Sequence, residues 1–270
     1  FYKRMGLYKV KNLYVNGCSF TAGDNVPEGF TWPELLAKKM NVDLTCKAIN
    51  GSSMDTIFYN TINHLQHFDS KDTYVVIGIT WPDRFGVFFD KVLLNVTPQD
   101  LNVKLWDTKI STWRRMSGPT LDTMEKIDAY NPRIKHTEDY KKVLEAFLLY
   151  YKTSIKYDPN INENKWIKML TQVLALDGYL NDRGFKHKFV GWNFFSTAMH
   201  DSQPQKNVDG NQVDSHYVND VLLPKIKELD IIDFPKKFGG YQKKDGKWNS
   251  HPTEEQCIDI SERIYDSINR

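Results

Sequence analysis

The sequence predicts an α/β fold, a three-layer α/β/α sandwich with a central parallel sheet. Three observations predict it. Short apolar segments alternate with amphipathic ones through the first third of the chain. One apolar segment, Tyr74 to Ile79, is rich in β-branched residues and lacks in–out alternation, as a strand covered on both faces requires. Apolar segments also run into small polar residues at Gly17-Cys18-Ser19, Asn50-Gly51-Ser52 and Gly78-Ile79-Thr80. Such ends suit the carboxyl edge of an open parallel sheet, where ligands bind.

Leu13 to Val15 reads as a short buried strand that turns at Ser19 into a helix-forming stretch. Trp32 to Met40 reads as a helix, with Thr31 as its cap and Pro33 tolerated in the first turn. Val42 to Ile49 is strand-like. Ser53 to Leu65 is helical, because Met54, Ile57, Phe58, Ile62 and Leu65 make one apolar stripe. From Phe85 to about residue 135 the rhythm breaks: Pro98, Pro119, Pro132, Trp106 and Trp113 are mixed with polar residues. This stretch reads as an irregular, lid-like insertion over the sheet edge.

Two longer helices are expected near Glu138 to Ile155 and Glu163 to Arg183, the second stopped by Gly184. Lys186 to Trp192 is the next strand. A polar loop follows, then a helix over Asn219 to Glu228 disturbed by Pro224. Thr253 to Ile268 closes the chain as a helix with Cys257, Ile260, Ile264 and Ile268 on one face. No internal repeat occurs. Residues 5–270 read as a single domain, with Met5 taken as the natural start.

The 270 residues, 40% hydrophobic and 13% aromatic, are ample for a packed core. A formal net charge of +2, with basic residues scattered in runs as short as Lys236-Lys237, argues against a nucleic-acid partner. Cys18, Cys46 and Cys257 form no paired spacing, so reduced thiols and an intracellular, cytoplasmic setting are expected. Neither a signal-peptide core nor a bilayer-length apolar run is seen, so no membrane partner is expected. No His/Cys/Asp cluster has ligand spacing, and the Gly17 to Gly23 turn lacks the spacing of a nucleotide-binding loop. No metal and no cofactor are therefore expected.

The chemistry concentrates in two segments. A serine hydroxyl needs a base to take its proton and donors placed for the oxyanion it creates. Ser19 stands where the chain turns from strand to helix, with Gly17 before it and Gly23 after it. Against that stands the ordinary reading of a helix-capping serine. His251, directly before Pro252 and the last helix, supplies a base, and the dipole of that helix favours a neutral imidazole. His64, His67, His136, His187, His200 and His216 read as surface residues.

In combination these blocks resemble the SGNH (GDSL-like) hydrolase family. Gly17-Cys18-Ser19-Phe20-Thr21-Ala22-Gly23 is similar to its first block and Asn50-Gly51 to its second. Gly78-Ile79-Thr80-Trp81 stands for its GxND block with Thr80 in place of the asparagine, and His251-Pro252 for its Asp-x-x-His-Pro block. The resemblance implies ester hydrolysis through an acyl-serine intermediate, with Ser19 as nucleophile and His251 as base. It implies an oxyanion hole from the Ser19 and Gly51 amides with the Thr80 side chain. The aspartate position of the last block is occupied by Trp248, which leaves either Asp245 or a Ser–His dyad.

Two functions follow. The first is a serine esterase for a small-molecule or carbohydrate ester, such as an acetyl or short acyl group on a sugar. Trp81, Trp106, Trp113 and Trp192 suggest stacking on a sugar, against the reading that they fill the core. A long-chain lipase is disfavoured by the lack of a long apolar lid. The second is a catalytically degenerate binding or scaffold protein, motivated by Thr80 and Trp248.

Overall fold

A computed structural model describes residues 10–24, 26–82, 84–89, 92–96, 161–201, 205–206, 212–213, 217–234, 242–244, 247–249 and 251–270. In chain order the first elements are β1 (Asn12–Asn16), α1 (Ser19–Ala22), α2 (Trp32–Met40), β2 (Asp43–Cys46), α3 (Met54–Leu65) and β3 (Thr73–Gly78). A hairpin of β4 (Phe85–Phe89) and β5 (Val92–Val96) comes next. Then follow α4 (Ile161–Asp182), β6 (Lys186–Trp192) and α5 (Phe194–Asp201). A two-residue ladder, β7 (Gln205–Lys206) with β8 (Gln212–Val213), precedes a π-turn at Tyr217–Leu222 and α6 (Leu223–Lys227). The last elements are β9 (Ile231–Phe234), the antiparallel pair β10 (Gln242–Lys244) and β11 (Lys247–Asn249), and α7 (Glu254–Ile268).

Five strands form one sheet in the order β2-β1-β3-β6-β9, every neighbouring pair parallel. Parallel neighbours need crossovers, and the helices that make them cover both faces. Strand alternation divides the core. Leu13, Val15, Tyr74 and Val76 point to one face, where Trp32 and Leu36 of α2 and Cys257, Ile260 and Ile264 of α7 cover them. Tyr14, Val75 and Ile77 point to the other, under α3, α4 and α6. The expected three-layer α/β/α sandwich is thus observed. α7 also reaches α2 at the surface, where Lys39 stands 3.5 Å from Glu262 and over the Tyr265 ring.

The helix Trp32–Met40 and the strand Lys186–Trp192 have the predicted bounds, and Gly184 ends α4 at a φ of 74°. Three predictions need correction. The insertion does not begin irregularly: its first residues pair as the β4–β5 hairpin, pinned where Asp55 Oδ2 accepts the Gly86 N–H at 2.8 Å. The polar loop after Trp192 opens with a helix, α5, and the strand β9 was not foreseen. His187 is no surface residue; Nε2 meets Asp177 Oδ1 at 2.8 Å and Nδ1 meets the Phe185 carbonyl at 3.1 Å. The helix expected near 138–155, together with Trp106 and Trp113, lies outside the described residues.

Candidate active site

The order of the sheet puts the carboxyl ends of β2, β1 and β3 side by side, and the chain leaves β1 and β3 in different directions there. In an open parallel sheet this reversal opens a crevice. Ser19 follows β1, Gly51 follows β2 and Thr80 follows β3, so the three predicted strand ends share this edge.

The serine turn is held from below. Asn16 is buried; its Oδ1 accepts the Gly17 N–H at 2.8 Å, while Nδ2 donates to the Ile57 carbonyl at 3.1 Å and to Thr61 Oγ1 at 2.9 Å. One side chain therefore joins the end of β1 to α3. Cys18 caps α1 in an extended conformation, and Ser19 is its first residue, 5% exposed. Amides in the first turn of a helix have no partner within it, so the Ser19 N–H is not part of the helix ladder. Gly23 ends α1 in the left-handed region, where its N–H donates to the Ser19 carbonyl.

The second strand end is stitched to the first by the Ile49 N–H, which donates to the Gly17 carbonyl at 3.2 Å. Gly51 then turns with a φ of 77°, a conformation that favours glycine. Beside it the buried Asn50 Oδ1 has no hydrogen-bond partner among the described residues.

Thr80 is buried, and its hydroxyl donates to the Ser52 carbonyl at 2.9 Å, so its single proton is committed to that carbonyl. It accepts from Arg84 Nη1 at 3.1 Å. Sequence reasoning missed Arg84. The only local signal was its position four residues beyond Thr80.

His251 comes to this corner from the far end of the sequence. Thr253 and Gln256 form a capping box that fixes the start of α7, and His251 stands two residues ahead of it. The imidazole packs 5.1 Å, centroid to centroid, from Phe20, the residue after Ser19. Its Nε2 lies 3.7 Å from Asp24 Oδ2, on the loop that leaves α1. Burial pushes the imidazole below its ordinary pKa; the Asp24 carboxylate works against this and the Arg84 guanidinium adds to it. The carboxylate recorded beside His251 is thus Asp24, which sequence reasoning also missed. Asp245 lies outside the described residues.

Beyond Thr80 a small recess of about 10 Å³ is lined by Ile79, Thr80, Trp81, Trp166, Trp192 and Phe194. It has room for roughly one water-sized group. Trp192 is buried between Phe20 and Phe234, at centroid distances of 5.3 and 5.5 Å. It fills the core there and offers no face to a sugar. Its Nε1–H has no partner among the described residues. No group of metal-ligating side chains and no membrane-length apolar helix occurs among the described residues.

No family model and no curated protein matches the chain. Among solved structures it is similar to a member of the lipolytic protein G-D-S-L family from Veillonella parvula, at 14% identity and a TM-score of 0.45, over 97% of this chain and 100% of that one. It is also similar to the psychrotrophic esterase EstA from Pseudoalteromonas sp., at 11% identity and a TM-score of 0.43, over 96% of each chain.

Proposed function

We propose that the chain is a serine ester hydrolase of SGNH type, acting on a short acyl ester. The observation that carries this reading is the meeting of two distant segments: Phe20, next to Ser19, packs on the imidazole of His251. A hydroxyl at the carboxyl end of β1 and an imidazole whose charged form burial disfavours are the two groups that acyl transfer needs.

In the proposed reaction, Ser19 Oγ bonds to the ester carbonyl carbon and its proton passes to His251. The carbonyl oxygen becomes an oxyanion, held by the Ser19 and Gly51 amides, since the Thr80 hydroxyl expected to join them donates to Ser52. The bond to the alcohol then breaks, and the alcohol leaves with the proton from His251. Water attacks the acyl-serine and gives His251 a proton, which returns to Ser19 as the acid departs. Asp24, 3.7 Å from Nε2, stabilises the imidazolium formed in each half. The orienting role falls to Asp245 or, in a Ser–His dyad, to a backbone carbonyl. The small recess that Thr80 lines supports a short acyl group such as acetyl.

The commitment of the Thr80 proton to Ser52 supports a second reading, a degenerate binding module. A fluorophosphonate probe separates the two. The hydrolase reading expects labelling at Ser19, located by mass spectrometry and lost in Ser19→Ala and His251→Ala. A folded chain that takes no label defeats it in favour of the binding module. With label in hand, acetyl esters should be turned over in preference to butyryl and longer ones.

A further inference from the structure

Arg84 is half-buried beside the edge where Ser19, Gly51 and Thr80 stand. Among the described residues its hydrogen-bond partners are neutral acceptors: Nη1 donates to Thr80 Oγ1 at 3.1 Å and reaches the Ser52 carbonyl at 3.5 Å. Among the described residues it pairs with no carboxylate. A partly desolvated cation is costly unless an anion meets it. Its backbone is fixed on both sides. The Arg84 N–H donates to the Trp81 carbonyl at 3.3 Å, and two residues later Gly86 is tied to Asp55, which also holds Lys168 and Gln172 of α4 at 2.8 Å each.

The hydroxyl expected to serve the oxyanion has given its one proton to Ser52 and accepts from the guanidinium instead. A guanidinium carries five N–H donors, so most remain after these contacts. Resting on the hydrolase reading, we infer that Arg84 is a catalytic residue whose guanidinium donates to the oxyanion, supplying at this strand end the charge stabilisation that Thr80 does not. Negative charge forms there only after Ser19 attacks, so the interaction strengthens along the reaction and speeds its chemical step. Arg84 also bears on His251, whose Nε2 lies 3.7 Å from the Asp24 carboxylate.

The test is the kinetics of Ser19 phosphonylation by the same fluorophosphonate in wild type, Arg84→Gln and Arg84→Lys, with thermal melts alongside. The expected result is a fall of about 10²–10³ in the limiting labelling rate of Arg84→Gln at little change in probe affinity. The pH midpoint should rise, because a cation near His251 has been removed. Arg84→Lys keeps the charge without the planar fork and should fall less; it is read alone if Arg84→Gln does not fold. Wild-type limiting rate and midpoint in the folded variants, or a loss confined to probe affinity, overturn the assignment while the hydrolase reading stands. Failure of the wild type itself to label Ser19 defeats the hydrolase reading and this inference with it.

Discussion

Gly78 lies directly under the side chain of Thr21: a Cβ at position 78 would stand 2.3 Å from Thr21 Oγ1, with nothing else nearer than 3.6 Å. Gly17 faces the same side chain, and a Cβ there would meet Oγ1 at 2.2 Å and Thr21 Cβ at 2.7 Å. The two strand ends are bare so that α1 can settle onto the sheet and set the height of Ser19.

Gly78→Ala should therefore cost about 1–3 kcal/mol, the usual range for overpacking a core. Thr21→Ala should relieve it, because the clashing oxygen is removed and that oxygen makes no hydrogen bond among the described residues. Gly17→Ala should not be relieved by the same change, since the Thr21 Cβ remains in the way. Urea melts of the single and double variants give the coupling in each pair. Equal rescue in both pairs would contradict this packing.

The pH profile should carry the signature of a buried imidazole. Activity that depends on neutral His251 should rise with pH through a midpoint below the ordinary 6.5, since burial and Arg84 disfavour the charged ring. Asp24→Asn removes the charge that opposes them and should move the midpoint lower still. Stability has the same sign. The unfolded chain takes up the proton first, so the contribution of His251 is intact above 6.5 and is lost as pH falls through the depressed value. A midpoint at or above 6.5 in the wild type would contradict the burial of the ring.

Asp233 predicts the opposite slope. Its carboxylate accepts the Phe194 N–H at 2.8 Å and the Phe195 N–H at 3.0 Å, capping α5 from the neighbouring strand β9. Burial raises its pKa above the ordinary 3.8, although both hydrogen bonds pull it down. Its contribution is complete below 3.8 and declines as pH rises through the raised value. Asp233→Asn should flatten that part of the stability profile. Asp233→Ala should lose the cap and cost about 1 kcal/mol. Urea midpoints between acid and neutral pH check both.

Elements whose cues are local were readable in the sequence. Thr31, Ser53 and Thr253 cap their helices through side chains a few residues away, and β6 ends in an apolar, buried run at 189–192 with a glycine stop before the strand. The misses have partners elsewhere in the chain. α5 takes its cap from Asp233, a residue that at the same time interrupts the apolar run of β9 and hides a four-residue strand. In the site, the small strand ends were legible because turns restrict residue type. Arg84 and Asp24 were not, because what distinguishes them is contact with Ser52, Thr80 and His251, each brought near by the sheet. Asn16 reads as an ordinary polar strand end until α3 is laid beside it.

The packing of α7 on α2 bears on when the site comes into being during synthesis. The serine turn leaves the ribosome well before His251 and the helix that seats it. Until α7 docks, Trp32 and Leu36 lack their cover and His251, the proposed base, is not seated. On the hydrolase reading, a chain in which α7 has yet to dock therefore carries an inert hydroxyl at Ser19.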